Sequence, residues 1–247
     1  MQISDDIYLG PAVAGGSNVS AGPSPMTTGV GPLGRIYVFD TVPLTLQAAA
    51  LASSQNPASG GSFTLTAGTG VTLSADSFGN AIYVLDVPRS VSITATGANT
   101  ATYLVTGYDQ YGQRMSQLLA APSTSTVKTT KMFKSVLSVT NANATLATNG
   151  LTVGYGDDIG FPVRFTDLGY IVSAMFNGAA VTVNSTNFGV ADTTSPATTS
   201  TTDVRGYIKA AGGTNNGTKR WVITVALPAL ACGPNATREG AFGVTQV

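Results

Sequence analysis

An all-β protein is the fold class the sequence predicts, an antiparallel β-sandwich or jelly roll with an extended N-terminal arm. Three observations lead there. Short runs rich in Val, Ile, Thr, Tyr and Phe recur along the chain, separated by Gly, Asn, Asp and Pro at roughly 8–12-residue spacing. Charged residues are only 10% of the 247 residues, while Gly and Pro number 29 and 12. Polarity therefore rests on Ser, Thr, Asn and Gln, and the Ala-Leu-Glu-Lys faces of helices are nearly absent. Finally, residues 81–119 read as consecutive strands. Val91, Ile93 and Ala95 alternate with Ser90, Ser92, Thr94 and Thr96, the period of a half-buried strand. GANT (Gly97–Thr100) and DQYG (Asp109–Gly112) then turn the chain, the latter with Asp first and Gly last as type I turns favour.

Composition also bounds function. The formal net charge is zero and there is no histidine. Neutrality gives no electrostatic reason to expect nucleic acid or an anionic membrane as partner. It also leaves little repulsion between copies, a hint of assembly; a homo-oligomer, a dimer or a trimer, is expected. Without histidine the chain lacks the commonest general base and zinc ligand, and any Ser-His-Asp or Cys-His arrangement. No catalytic residue, cofactor or metal site is expected. The single cysteine, Cys232, cannot form an intrachain disulfide. The start, MQISDDIYLG, carries two acids where a signal peptide needs basic residues, and no apolar run approaches a membrane span.

Taken in order, residues 1–35 form the expected arm. After Ile7–Leu9 the run GPAVAGGSNVSAGPSPMTTGVGPLGR is rich in Gly, Pro and Ser. It reads either as a disordered terminus or as an arm that orders against a neighbouring subunit. Gly29, Gly31 and Gly34 match G-x-G-x-x-G, but no strand precedes them and a strand, not a helix, follows, so a dinucleotide site is rejected. Arg35–Thr41 is a strand. Leu44–Ser54 is the one early candidate for a short helix, though Leu44–Leu46 could instead begin a strand. Phe63, Leu65 and Ala67, then Val71 and Leu73, alternate around GTG and suggest a hairpin. SFGN (Ser77–Asn80) turns into Ile82–Leu85, and the 81–119 meander follows.

Beyond the loop Ala120–Thr126, Lys128, Lys131 and Lys134 make the only basic cluster. It reads as a solvated strand edge, where Lys blunts unwanted pairing, or as a contact for an acidic partner. Ser125 and Lys128 satisfy S-x-x-K, but on a strand their side chains point to opposite faces. Asn141–Asn149 is a loop and Leu151–Val153 a short strand. Asp157 and Asp158 are read as part of a turn, since adjacent residues on extended chain point apart and cannot share a metal. Phe161-Pro162 opens an edge-like segment. Tyr170–Phe176 is a strand closed by Asn177-Gly178, a strong hairpin signal, with Val181 and Val183 returning. Residues 191–203 are a polar loop, Val204–Ala210 a strand, GGTNNGT a turn, and Lys219–Leu227 the clearest late strand, with the only Trp. Ala231–Val247 look irregular. The Asn-x-Thr triplets at Asn143, Asn216 and Asn235 reflect composition. Three regions result: the arm 1–35, a β-meander region 36–130, and a second β region 131–247 with an irregular tail, either separate or part of the same sandwich.

Three quoted segments carry a resemblance. VPRSVSITATGANTATYLVTGYDQYGQRMSQLL resembles a pattern in structural proteins of tailed bacteriophages, a "VPR-x-V-x-I" strand, a Thr-rich turn, then "V-x-G-x-D-x-Y-G". TTSPATTSTTDVRGYI is similar to a Pro-Ala-Thr loop followed by "T-D-V-R-G" in the same kind of protein, and GDDIGFPVR joins them. The resemblance covers much of residues 81–210 and implies a head-associated protein, a capsid decoration or cement protein of jelly-roll type that oligomerises on the capsid lattice. Its expected partners are the major capsid protein and copies of itself, and its place the capsid surface of a virion assembled in the host cytoplasm. No catalytic residue is carried over, because the pattern has none. Contacts are expected from the arm and from the loops at 120–130 and 191–203. The alternative is a tail or head fibre component that recognises a host glycan or protein, with Tyr108, Tyr111 and Tyr155 able to stack on sugars. An enzyme built on paired carboxylates is disfavoured. Asp40, Asp86, Asp109, Asp157, Asp158, Asp167, Asp192 and Asp203 all sit at turns or strand ends, where Asp is ordinary, and only Glu239 is added late.

Overall fold

Among the described residues, main-chain hydrogen bonding is satisfied chiefly between strands. A computed structural model describes residues 2–8, 33–143, 147–194, 197–209 and 214–228. Among these, regular structure is strand throughout apart from one 3-10 turn, Leu168–Tyr170, started by Asp167. The strands are β1 (Gln2–Tyr8), β2 (Leu33–Thr41), β3 (Gln47–Gln55), β4 (Val71–Ala75), β5 (Ala81–Thr94), β6 (Tyr103–Tyr108) and β7 (Arg114–Leu119). They continue with β8 (Thr126–Lys128), β9 (Phe133–Asn141), β10 (Leu151–Gly160), β11 (Ile171–Phe176), β12 (Ala179–Ala180), β13 (Phe188–Val190), β14 (Gly206–Ile208) and β15 (Trp221–Pro228). Every pairing is antiparallel, and the all-β expectation holds.

Five strands form one sheet in the order β1-β2-β15-β11-β12. β15 is its spine: Trp221, Ile223, Val225 and Leu227 are buried and alternate with half-buried neighbours. Tyr37 and Phe39 of β2 lie opposite Val225 and Ile223, and Phe176 of β11 lies opposite Trp221 with ring centroids 4.5 Å apart. Burying side chains such as Ile223 and Val225 stabilises by about 1.5–3 kcal/mol each, so this alternating stripe decides which face turns inward. Asn177 and Gly178, both at positive φ (50° and 81°), close the expected hairpin into β12.

The other sheet has ten strands, ordered β13-β14-β10-β5-β9-β6-β7, with β3 added to β10 and β4 and β8 added to β5. β5 is long enough to serve two sets of neighbours. Its first half lies between β4 and β9, its second between β10 and β8. The sheet curls around one core, which includes Leu51, Leu85, Ile93, Tyr103, Val105, Phe133, Val139 and Val153. A second core lies where the five-stranded sheet meets Ile159, Phe161, Phe165, Phe188 and Ile208.

Several expectations change. Residues 2–8 and 33–35, assigned to the arm, are strands of the five-stranded sheet. The rest of the arm, with Gly29 and Gly31, lies outside the described residues, as do Ala231–Val247 with Cys232, Glu239 and Asn235. Leu44–Ser54 gives no helix: Gln47–Gln55 is strand β3, seated so close to β10 that a Cβ on Gly154 would come within 1.8 Å of the Gln47 carbonyl. Tertiary pairing overrides the helix preference of its alanines. Nor do residues 63–73 make a hairpin about GTG. Thr66 and Gly68 bond back to Leu51 and Ala50, and β4 pairs with β5. In the meander, β6 and β7 pair as expected, but β9 enters between β5 and β6. The serines of β5 are as buried as its apolar residues (Ser90 0%, Ser92 5%), because both faces are covered. No core boundary falls at 130/131. β10 contributes Val153 to the first core and Ile159 to the second, and β2, from the first region, belongs to the second core.

Candidate interaction surface

The motif segments are far apart in sequence and meet in space. Pro88 lies inside β5, where a central strand cannot keep a continuous ladder. Pairing of β5 with β9 skips from Val84 to Arg89, and pairing of β10 with β5 skips from Tyr155 to Ile159. The buried Arg89 fills the break. It donates to the carbonyls of Gly156 and Leu44 and to Asp86 Oδ2, holds its Nε 2.8 Å from Asp86 Oδ1 as an ion pair, and lies 4.7 Å from the centroid of the Tyr155 ring. On the other strand Lys134 donates to the carbonyls of Leu85 and Asp86. Cationic side chains thus take over acceptors that the bulge leaves without ladder partners.

The DQYG turn makes the second node. Asp109 Oδ1 accepts the amides of Tyr111 and Gln113, each at 2.8 Å, and Gly112 supplies positive φ, 76°. Asp109 Oδ2 takes Arg205 Nη2 at 2.7 Å, joining DQYG to TDVRG inside the protein. The Arg205 guanidinium lies 4.9 Å from the centroid of the Tyr111 ring. Tyr111 Oη donates to the Pro162 carbonyl and Gln110 to that of Phe161. Asp203 accepts the amides of Arg205 and Met132, and Arg164 donates to the carbonyls of Asp192 and Val204. Pro88, Asp109, Met132, Phe161 and Arg205 line one small cavity at this junction.

From this junction two loops are held on the surface. Lys131 is fully buried, and its ammonium donates to the carbonyls of Ser116 (3.0 Å) and Thr198 (2.9 Å). Leu118 donates its amide to Thr199, while the Gln117 side chain accepts from the Thr130 and Lys131 amides and donates to Thr130 Oγ1. Asp192 accepts Thr194 and Thr202 amides from within the second loop. The two loops expected to make contacts, 120–130 and 191–203, are thereby fastened to the same strand, β7. Burial pushes the Lys131 ammonium pKa down, against the pull of Asp203 and Asp192.

The basic cluster is therefore not a solvated edge. Lys131 is buried and Lys134 half-buried, both committed to main-chain carbonyls, and Lys128 is exposed, 2.6 Å from Asp158. Ser125 Oγ turns instead to the Pro122 carbonyl, so the S-x-x-K pair does not meet. Asp157 and Asp158 are buried in β10 rather than in a turn. They do point apart, Asp157 to Asn215 and Asp158 to Lys128. Burial raises the Asp157 carboxyl above its usual range. Asp40 pairs with Arg220, and Asp167 caps the 3-10 turn. Among the described residues no three His, Cys, Asp or Glu side chains are grouped to hold a metal, and no helix is long and apolar enough to cross a membrane.

The three tyrosines do not share a face. Tyr155 is fully buried, with its hydroxyl on the Thr69 carbonyl. Tyr111 has Arg205 over its ring, and Tyr108 donates to Asp76. What sequence reasoning missed is the arginines and Lys131. A signal existed: in a chain only 10% charged, Arg89, Arg164 and Arg205 each stand within apolar strand-like runs, VPRSV, FPVRF and DVRGY. Comparison with models of known families, with characterised proteins and with solved structures finds no match.

Proposed function

We propose that the chain is a structural protein of a tailed-bacteriophage virion, a decoration or cement protein that binds the outer capsid and bridges neighbouring capsomers. One observation carries this reading: the 191–203 loop, through Lys131 and Leu118, and the end of the 120–130 segment, through Gln117, are both fastened to β7, which makes a preorganised contact surface. A surface fixed before contact loses less conformational freedom on binding. The motif segments that resemble phage head proteins are the ones that build its support. The pairing of Tyr8 with Leu33, and of Gly34 with Pro228, further places the exits to residues 9–32 and 229–247 at one end of the five-stranded sheet. Contacts made by those segments would leave from a common point. Its partners in this reading are the major capsid protein and further copies of itself.

The test is co-sedimentation of the purified chain with capsids lacking it, followed by electron cryo-microscopy of the product. Saturable binding, with density for the 120–130 and 191–203 loops against the shell, supports the reading. Absence of binding, or density confined to a tail or fibre, ends it.

A further inference from the structure

The tip of the β4–β5 hairpin carries a phenylalanine that the fold leaves in water. Phe78 is 85% exposed, the most exposed large apolar side chain among the described residues. It is nevertheless held in place. Asp76 Oδ1 accepts the amides of Phe78 and Asn80 (both 2.9 Å), and Oδ2 accepts the Asn80 amide side chain (3.0 Å) and Tyr108 Oη (2.9 Å). The hairpin tip is thus tied to β6. Between it and the β6–β7 turn runs an open groove of about 760 Å³, walled by Phe78, Asn80, Tyr108, Arg114 and Leu137.

Arg114 gives the groove its sign. Among the described residues Arg89, Arg205 and Arg220 hold carboxylates and Arg164 holds main-chain carbonyls, whereas Arg114 holds neither. Asp76 spends both its oxygens on four neutral donors and makes no ion pair with Arg114. A guanidinium without a carboxylate in contact presents a planar fork that carboxylates match in two-point fashion. An aromatic with its main chain fixed, lining the same groove as such an arginine, is the composition of an interface hot spot.

We infer that this groove docks a segment of a partner protein that presents an Asp or Glu carboxylate to Arg114 and an adjoining apolar side chain to Phe78 and Leu137. The site uses no residue of the 120–130 or 191–203 segments, and its occupancy does not depend on the capsid reading. A random peptide library selected on the full-length chain, with recovered peptides then measured on Phe78→Ala, Arg114→Gln and Arg114→Glu, tests it. The expected peptides carry an acidic residue next to an apolar one, and Phe78→Ala or Arg114→Gln weakens them about tenfold or more. Arg114→Glu is expected to shift selection toward Lys and Arg. Both positions are exposed, and an unchanged thermal midpoint shows that the variants remain folded. Failure to recover peptides, recovery of peptides without acids, or binding unaltered by both substitutions overturns the inference. So does binding of polygalacturonate oligomers, with peptides silent, through the same two residues, which would assign an acidic glycan instead.

Discussion

Arg205 and Asp109 stand 96 positions apart and meet at 2.7 Å with side chains only 2% and 1% exposed. A pair so completely removed from water has no solvent to fall back on when one member is lost. Breaking a buried pair from one side typically costs about 3–5 kcal/mol. Asp109→Asn keeps the Oδ1 acceptor for the Tyr111 and Gln113 amides and removes only the charge. It is expected to destabilise by about 3 kcal/mol or more in urea unfolding, while the double change Asp109→Asn, Arg205→Met recovers most of that loss. Equal stability of the single variant and the parent would show that the pair carries no net weight.

Acid should act through two other carboxylates. Asp76, bonded by the Asn80 side chain and main-chain amides, and Asp192, whose Thr194 and Thr202 amides outweigh its burial, are both held at about 2 against the usual 3.8. Their folded-state values are depressed, so their stabilisation is present above about pH 4 and is lost as pH falls toward about 2. The thermal midpoint should decline across that window. Asp76→Asn and Asp192→Asn should each flatten the decline, and an unchanged profile in both would refute the assignment.

Asp157 carries the opposite sign. Burial raises its folded-state value, so holding it ionised at neutral pH opposes folding, and acid relieves the opposition. Asp157→Asn retains an acceptor for Asn215 and is expected to match or exceed the parent midpoint at pH 7. At pH 3 the difference should shrink. A clear loss at pH 7 would mean that the ionised form is needed there.

Close approach of strands can be tested at Gly154. A Cβ there would meet the Gln47 carbonyl at 1.8 Å and the Ala48 backbone next to it, groups that cannot rotate away. Gly154→Ala should destabilise by about 1–3 kcal/mol or more by forcing β3 off β10. Gly79→Ala is the control for glycine loss without crowding, since no atom lies within 4 Å of its Cβ position, although its φ of 83° adds local strain. Amide exchange should quicken in β3 for Gly154→Ala alone.

Lys131→Met separates the contact surface from the fold beneath it. The thioether fills similar space but leaves the Ser116 and Thr198 carbonyls without their donor, a loss of about 1–3 kcal/mol. Faster amide exchange at 197–203, with β15 unchanged, and weaker capsid binding are expected together. If exchange quickens while binding holds, the pinned loops are not the contact surface.

Legibility in the sequence followed the range of the interactions involved. The strand at 219–227 could be read because its apolar alternation is local, and the hairpin at 177–178 because Asn-Gly states its turn geometry in two letters. The DQYG turn was readable for the same reason. What Asp109 does with its second oxygen was not, since its partner is 96 residues away. Leu44–Ser54 misleads because alanine favours helix until a glycine-bearing strand, β10, offers it an edge. The insertion of β9 between β5 and β6 is invisible in either strand. Lys131 and Lys134 looked like a wet edge because three lysines at short spacing usually are one, and the carbonyls that hold them come from distant segments, β5, β7 and the loop at 198.

The position of β9 has a consequence for how the chain reaches this state. Residues 71–85 can zip into the β4–β5 hairpin and residues 103–119 into the β6–β7 hairpin as soon as they exist, but the two hairpins have no strand joining them until residues 133–141 arrive. Closure of the larger core is therefore set by a distant segment threading between two earlier ones, the kind of non-local step that slows folding. During synthesis the facing edges of β5 and β6 stay open until then. A cell making this protein would have to keep those edges from pairing with the same edges of another copy until β9 emerges.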